Sequence, residues 1–193
     1  MAPERHKANR AATPITRMTV AVLTDLPEAA LLRQLQRNGG HTDCYTTQLP
    51  ISVTQAQYIE AFYTTSLFKA ERMVLRLLAF KPSTDQGARD LAQGRSDAFA
   101  VWRVAQRRPE QILLTDHTGR TSSWLMAVPD EGPAGVTTRL FFGSAVTGRT
   151  NHSTGQREMG LVFHALLGFH KLYSRLLLQA AAARLLAGKV QAT

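Results

Sequence analysis

The spacing of apolar residues changes period along the chain. VTQAQYIEAFYTTSLFKAERMVLRLLAF (53–80) places them at helical intervals, the signature of a helix with a buried stripe. Tyr58, Phe62, Thr65, Lys69, Met73 and Arg76 do not make one clean stripe, which predicts a break near Thr64-Thr65-Ser66. A second helix then runs from Leu67 to Ala79, with Leu67, Phe68, Val74, Leu75, Leu77 and Leu78 available for burial. Ser83-Thr84 can cap one more short helix that ends at Gly94. From residue 99 the period becomes two. FAVWRVAQRR (99–108), QILLTD (111–116), TSSWLMAV (121–128) and GVTTRLFFGSAV (135–146) read as four strands, the first three joined by turns short enough for an antiparallel meander.

Two further elements precede these. Residues 26–37 read as a helix: Asp25 can cap it, Glu28 stands at capping-box spacing, and Asn38-Gly39-Gly40 ends it. HTDCYTTQL (41–49) is β-branched and aromatic and reads as a strand closed by Pro50. In the DHTG turn, a three-residue loop with Gly119 as a bulge pairs Asp116 with Arg120 and sets Ile112 opposite Trp124. Ile112, Leu114, Trp124 and Met126 would then share one inward face. A polar loop, TGRTNHSTGQ (147–156), leads into the last helix.

That helix, GLVFHALLGFHKLYSRLLLQAAAARLLAG (160–188), holds two histidines. At about 100° per residue, His164 joins Lys171, Arg175 and Gln179 in a narrow polar stripe. His170 lies about 120° away, among Phe163, Leu166, Tyr173 and Leu177. The pair cannot share a metal on a straight helix. A helix so broadly apolar needs cover over most of its circumference.

Composition narrows the class. The 193 residues are 44% hydrophobic, enough for one sizeable core. We expect a disordered basic tail over residues 1–20 and a single domain over 21–193. The net charge is +9, spread along the chain rather than gathered in the stripe of a dedicated nucleic-acid binder. It permits weak contact with anionic surfaces. The lone Cys44 cannot form an internal disulfide, and no stretch has a bilayer span's length or a secretory signal's apolar core, so the expectation is a cytoplasmic protein. Oligomeric state has no signature in the chain.

Candidate chemistry is sparse. Asp116, His117 and Ser122 crowd together, but His117 occupies the turn itself and the three do not converge on one atom as a triad must. His41, Asp43 and Cys44, or His152 and Glu158, lack the repeated ligand spacing of a zinc site. No glycine-rich phosphate cradle is present. We therefore expect no metal and no cofactor, and assign no catalytic residue.

FYTTSLFKAERMVLRLL, FAVWRVAQRRPEQILLTD, TSSWL, TTRLFFGSAV and GFHKLYSRLLL, taken in order over residues 42–187, resemble an uncharacterised bacterial branch of the START-related helix-grip superfamily (SRPBCC). Its best-known plant member is the birch pollen allergen. The resemblance implies an α+β fold in which a curved antiparallel sheet packs against a long C-terminal helix, with short helices after the first strand. The chain departs from that pattern in showing about five strands where six or seven are usual. Residues 81–96 also read as helix or loop where a hairpin belongs, and residues 26–37 form an N-terminal addition. The superfamily commonly encloses an apolar cavity between helix and sheet. The expected function is therefore binding of an apolar or amphipathic small molecule there, lined by Trp102, Trp124, Met126, Phe163, His170 and Tyr173. Two alternatives stand beside it: an enzyme on the same scaffold with His170 as acid or base assisted by Tyr173, or a surface-interaction protein that uses the basic charge to touch anionic membrane or nucleic acid.

Overall fold

Among the described residues the strands pair into one seven-stranded antiparallel sheet that runs, edge to edge, Val22–Leu23, His41–Leu49, Gly135–Val146, Thr121–Gly132, Gln111–Asp116, Trp102–Arg108 and Ala98–Phe99. A computed structural model describes residues 20–69, 83–132, 135–147, 149–150, 157–158 and 161–190; for 132, 149–150, 157–158, 161–169 and 190 it describes the backbone alone. The expected tail, most of the second helix (67–79), most of the 147–156 loop and the Phe163 and His164 side chains lie outside the described residues.

In chain order the elements are β1 (Val22–Leu23), α1 (Arg33–Arg37), β2 (His41–Leu49), α2 (Gln55–Tyr63), α3 (from residue 66, described to 69) and α4 (Asp85–Ala92). Then come β3 (Ala98–Phe99), β4 (Trp102–Arg108), β5 (Gln111–Asp116), β6 (Thr121–Gly132), β7 (Gly135–Val146), the small β8–β9 pair (Arg149–Thr150, Arg157–Glu158) and α5 (Leu161–Val190). The architecture is α+β with the curved sheet gripping a C-terminal helix, as expected.

Local chemistry accounts for the helices. Thr54 and Gln57 close a reciprocal capping box at the start of α2, satisfying two of the free N–H groups that every helix N-terminus exposes. The helix breaks at Thr64-Thr65, where each threonine hydroxyl donates to a backbone carbonyl, Glu60 and Phe62 respectively. Thr84 caps α4, and Gly94 follows it with φ +72°, a left-handed conformation that costs glycine little.

Three expectations are corrected. The helix over 26–37 shrinks to α1, because side chains take the backbone groups that a helix would use. Gln111 Oε1 accepts from Leu31 N–H at 2.9 Å and Gln111 Nε2 donates to Ala29 O at 3.1 Å, while the Arg33 guanidinium donates to the Leu26 and Pro27 carbonyls. The strand over 99–108 is split by a tight turn in which Ala100 takes φ +54°, giving β3 and β4. The β5–β6 register is one residue off the expectation, pairing Leu113 with Trp124 and Ile112 with Leu125. The Asp116 carboxylate accepts from Arg120 N–H and Thr121 N–H, so the loop is one residue longer. A one-residue slip sends every side chain to the other face.

As a result both faces of the sheet are buried against cover. The inner face, under α2, α4 and α5, holds Tyr45, Phe99, Ile112, Leu114, Leu125 and Phe142, packed with Phe62 and Tyr63 of α2 and Phe68 of α3. The outer face holds Cys44, Leu113, Trp124, Met126 and Phe141 beneath Leu26, Ala30, Leu31 and Leu32 of the segment before α1. Each large apolar side chain so buried contributes roughly 1.5–3 kcal/mol. Gly143 makes the outer contact: an added Cβ there would sit 2.9 Å from Leu32 Cδ2 and 3.0 Å from Trp124 Cε3.

Candidate functional site

Across β2, β7 and β6 one inward-facing row is polar. Asp43 pairs with Ser144 and Ser123 pairs with Ser144 in the ladder, so their side chains stand side by side, separated by roughly 5 Å at Cβ. All three are buried, with Asp43 at 8%, Ser144 at 6% and Ser123 at 7% exposure. Ser123 Oγ lies 3.3 Å from the Tyr63 hydroxyl at the end of α2. From above, α5 lowers His170 onto the row. Its Nε2 stands 2.8 Å from Ser144 Oγ and 3.4 Å from Asp43 Oδ2.

The direction of the protons follows from the carboxylate. Burial pushes the Asp43 carboxyl up, but the His170 and Ser144 hydrogen-bond partners and the His170 charge outweigh it and hold the group below its ordinary value. Asp43 is therefore ionised and can only accept. Ser144 Oγ spends its single proton on Asp43 Oδ1 at 2.6 Å, and Ser144 N–H donates to the same oxygen at 3.2 Å. His170 Nε2 must then carry the hydrogen that it presents to Ser144. This order is the reverse of a hydrolytic triad, in which the histidine accepts the serine proton. Ser144 is held as a relay, not activated as a nucleophile.

Several buried polar atoms make no hydrogen bond, and of those beside this row Asp43 Oδ2 has only the longer 3.4 Å contact with His170 Nε2. Among the described residues, four buried side-chain atoms make no hydrogen bond: Asp43 Oδ2, Tyr45 Oη, Trp102 Nε1 and Ser174 Oγ. Tyr45 is the next inward residue on β2 after Asp43, and burial followed by the Asp43 charge pushes its phenol up to about 12. Ser174 sits one helical turn after His170 and is fully buried. Leaving such a group unsatisfied costs on the order of 1–3 kcal/mol, and native structures tolerate few of them. The cluster is not sealed, since the His170 side chain keeps 34% of its surface exposed. A cleft of about 490 Å³ runs alongside, lined by Leu23, Asp25, His41, Asp43, Cys44 and Lys171. On its other wall the Cys44 thiol is pushed to about 12, by burial first and then by the charges of Asp43 and Asp25.

Of the six residues expected to line one pocket, the Phe163 side chain lies outside the described residues and the other five are divided by the sheet. His170, Trp102 and Tyr173 belong to the inner side, the last two packing against the inner core. Trp124 and Met126 face outward, buried beneath the segment before α1, and cannot share a cavity with His170. That correction follows from the β5–β6 register. The inward orientation of His170, with Lys171 and Arg175 exposed on α5, agrees with the helical wheel. Asp43 was weighed only as a metal ligand and Ser144 and Ser174 were missed as site residues, although a charged residue at an inward strand position beside Tyr45 was a usable signal. Asp43 and Cys44 point to opposite faces of β2. Among the described residues no group of three or more His, Cys, Asp or Glu side chains could hold a metal ion, and no helix is long and apolar enough to cross a membrane.

No family model, no curated protein and no solved structure matches the chain.

Proposed function

We propose that the protein binds an amphipathic small molecule whose polar group docks on the Asp43–Ser144–His170 cluster and whose apolar part lies between α5 and the inner face of the sheet. The observation that carries this reading is the set of buried polar atoms without a hydrogen bond, Asp43 Oδ2, Tyr45 Oη and Ser174 Oγ, around a partly exposed histidine. Asp43 Oδ2 and Tyr45 Oη offer an acceptor and a donor, and Ser174 Oγ offers either. A hydroxyl or protonated acid on the ligand would satisfy them. The inner core behind the cluster is apolar: Tyr63 packs against Phe68 and Phe99 at 4.8 Å and 5.3 Å, centroid to centroid, and all three rings are buried. An apolar wall with few convergent polar groups is the usual composition of such sites.

The reading includes membership of the START-related helix-grip superfamily and a cytoplasmic setting. The superfamily part is supported by the order of elements: strand, short helices, antiparallel sheet, long C-terminal helix. Native mass spectrometry of the purified protein, followed by extraction into organic solvent, tests the ligand reading. A stoichiometric copurifying molecule, or saturable uptake of a long-chain alcohol, carboxylate or sterol, is expected. Bare protein with no saturable uptake across that panel overturns it.

A further inference from the structure

The outward side of α5 breaks the expectation that so apolar a helix would be covered nearly all round. Leu172 and Leu176, one turn apart, remain 55% and 44% exposed. Lys171 and Arg175 flank them, with Arg184 about two turns further along the helix, all exposed and, among the described residues, in no ion pair with an acidic side chain. The sequence holds no Asp or Glu after Glu158, so nothing on this helix offsets the positive charge.

The edge of the sheet continues the surface. Arg175 Nε donates to the Ala21 carbonyl at 3.3 Å, which sets α5 beside β1. There Val20, Val22 and Leu23 are exposed at 59%, 51% and 63%. Of the six large hydrophobics exposed among the described residues, five fall on this edge and helix.

We infer that the outward face of α5, together with the β1 edge, docks on an anionic phospholipid surface. Basic side chains framing exposed leucine are what an interfacial helix presents. Each Lys or Arg brought to an anionic bilayer strengthens binding roughly fivefold, and leucines add the insertion that makes the contact more than electrostatic. A second copy of the chain is the wrong occupant, because its net charge of +9 would oppose like against like. Nucleic acid would use the cations and gain little from the leucines. This inference rests on the outer side of α5 and the ligand reading on its inner side, so either can fail alone.

Flotation of the full chain with unilamellar vesicles tests it. The protein should float with phosphatidylcholine vesicles containing phosphatidylglycerol, stay behind with phosphatidylcholine alone, and release as salt rises. Lys171→Glu with Arg184→Glu should weaken binding by at least about 25-fold. Leu172→Ser with Leu176→Ser should also weaken it, with circular dichroism unchanged. Leu172→Cys carrying an environment-sensitive dye gives an independent reading, since Cys44 is buried; its emission should shift to the blue on the anionic vesicles alone. Failure to float with phosphatidylglycerol overturns the inference. So does equal flotation with both vesicles, or binding that responds to the charge reversals and ignores the leucines, as binding to a nucleic acid would.

Discussion

Trp124→Ala removes the largest side chain of the outer face. The ring is fully buried, its centroid stands 6.2 Å from that of Phe141, and its Nε1 donates to Gln111 Oε1 at 2.9 Å. Truncating a buried aromatic to alanine costs about 3–5 kcal/mol in transfer and cavity terms. The lost hydrogen bond adds on the order of 1 kcal/mol, moderated because Gln111 Oε1 keeps the Leu31 N–H. For a chain of this length the sum corresponds to a Tm lowered by roughly 8–24 °C. Urea unfolding followed by far-ultraviolet circular dichroism reads the loss without relying on the deleted fluorophore. A double-mutant cycle sharpens the test. Trp124→Ala and Leu32→Ala act on one packed face and should couple by roughly 0.5–3 kcal/mol, whereas Trp124→Ala and Leu178→Ala lie across the sheet and should add within about 0.5 kcal/mol. A loss below about 1.5 kcal/mol, or coupling to Leu178 instead of Leu32, would refute the two-faced sheet.

Other outcomes follow from the same contacts. Gly143→Ala should destabilise the fold by roughly 1–3 kcal/mol, because its Cβ would meet the Asp43 carbonyl oxygen at 3.0 Å as well as Leu32 and Trp124; an unchanged urea midpoint would contradict the close approach. The depressed Asp43 carboxyl stabilises the native state fully above its ordinary value of 3.8, and this is lost as pH falls through the lower folded-state value. The stability gap between wild type and Asp43→Asn should therefore narrow on acidification, and a gap independent of pH would contradict the linkage. Cys44, with its thiol raised to about 12, should resist iodoacetamide in native buffer and react promptly in urea. Rapid native labelling would show that the segment before α1 does not cover it.

Much of the fold was legible because it is written in local chemistry. The bounds of β2, β5 and β7 follow from period-two runs ended by proline, glycine or a turn. The starts of α2 and α4 follow from threonine caps. What escaped depended on distant partners. β1 and β3 have two residues each, too short for any period, and exist because β2 and β4 offer them an edge. The helix over 26–37 gave way to Gln111, which lies 80 residues from Leu31. The site was half visible. His170 could be placed inward by its angle on the helix, but Asp43 and Ser144 are 101 residues apart and meet only through the β2–β7 register. The slip at the Asp116 turn mattered most, since it moved Trp124 and Met126 out of the candidate pocket.

The most direct test of the ligand site compares what copurifies with three proteins: wild type, His170→Ala and Trp124→Phe, each extracted and weighed by native mass spectrometry. A bound molecule should be present at one equivalent in wild type, absent or sharply reduced in His170→Ala, and retained in Trp124→Phe, whose altered ring lies on the far side of the sheet. A molecule kept by His170→Ala, or lost from Trp124→Phe alone, would contradict the placement of the site beneath α5.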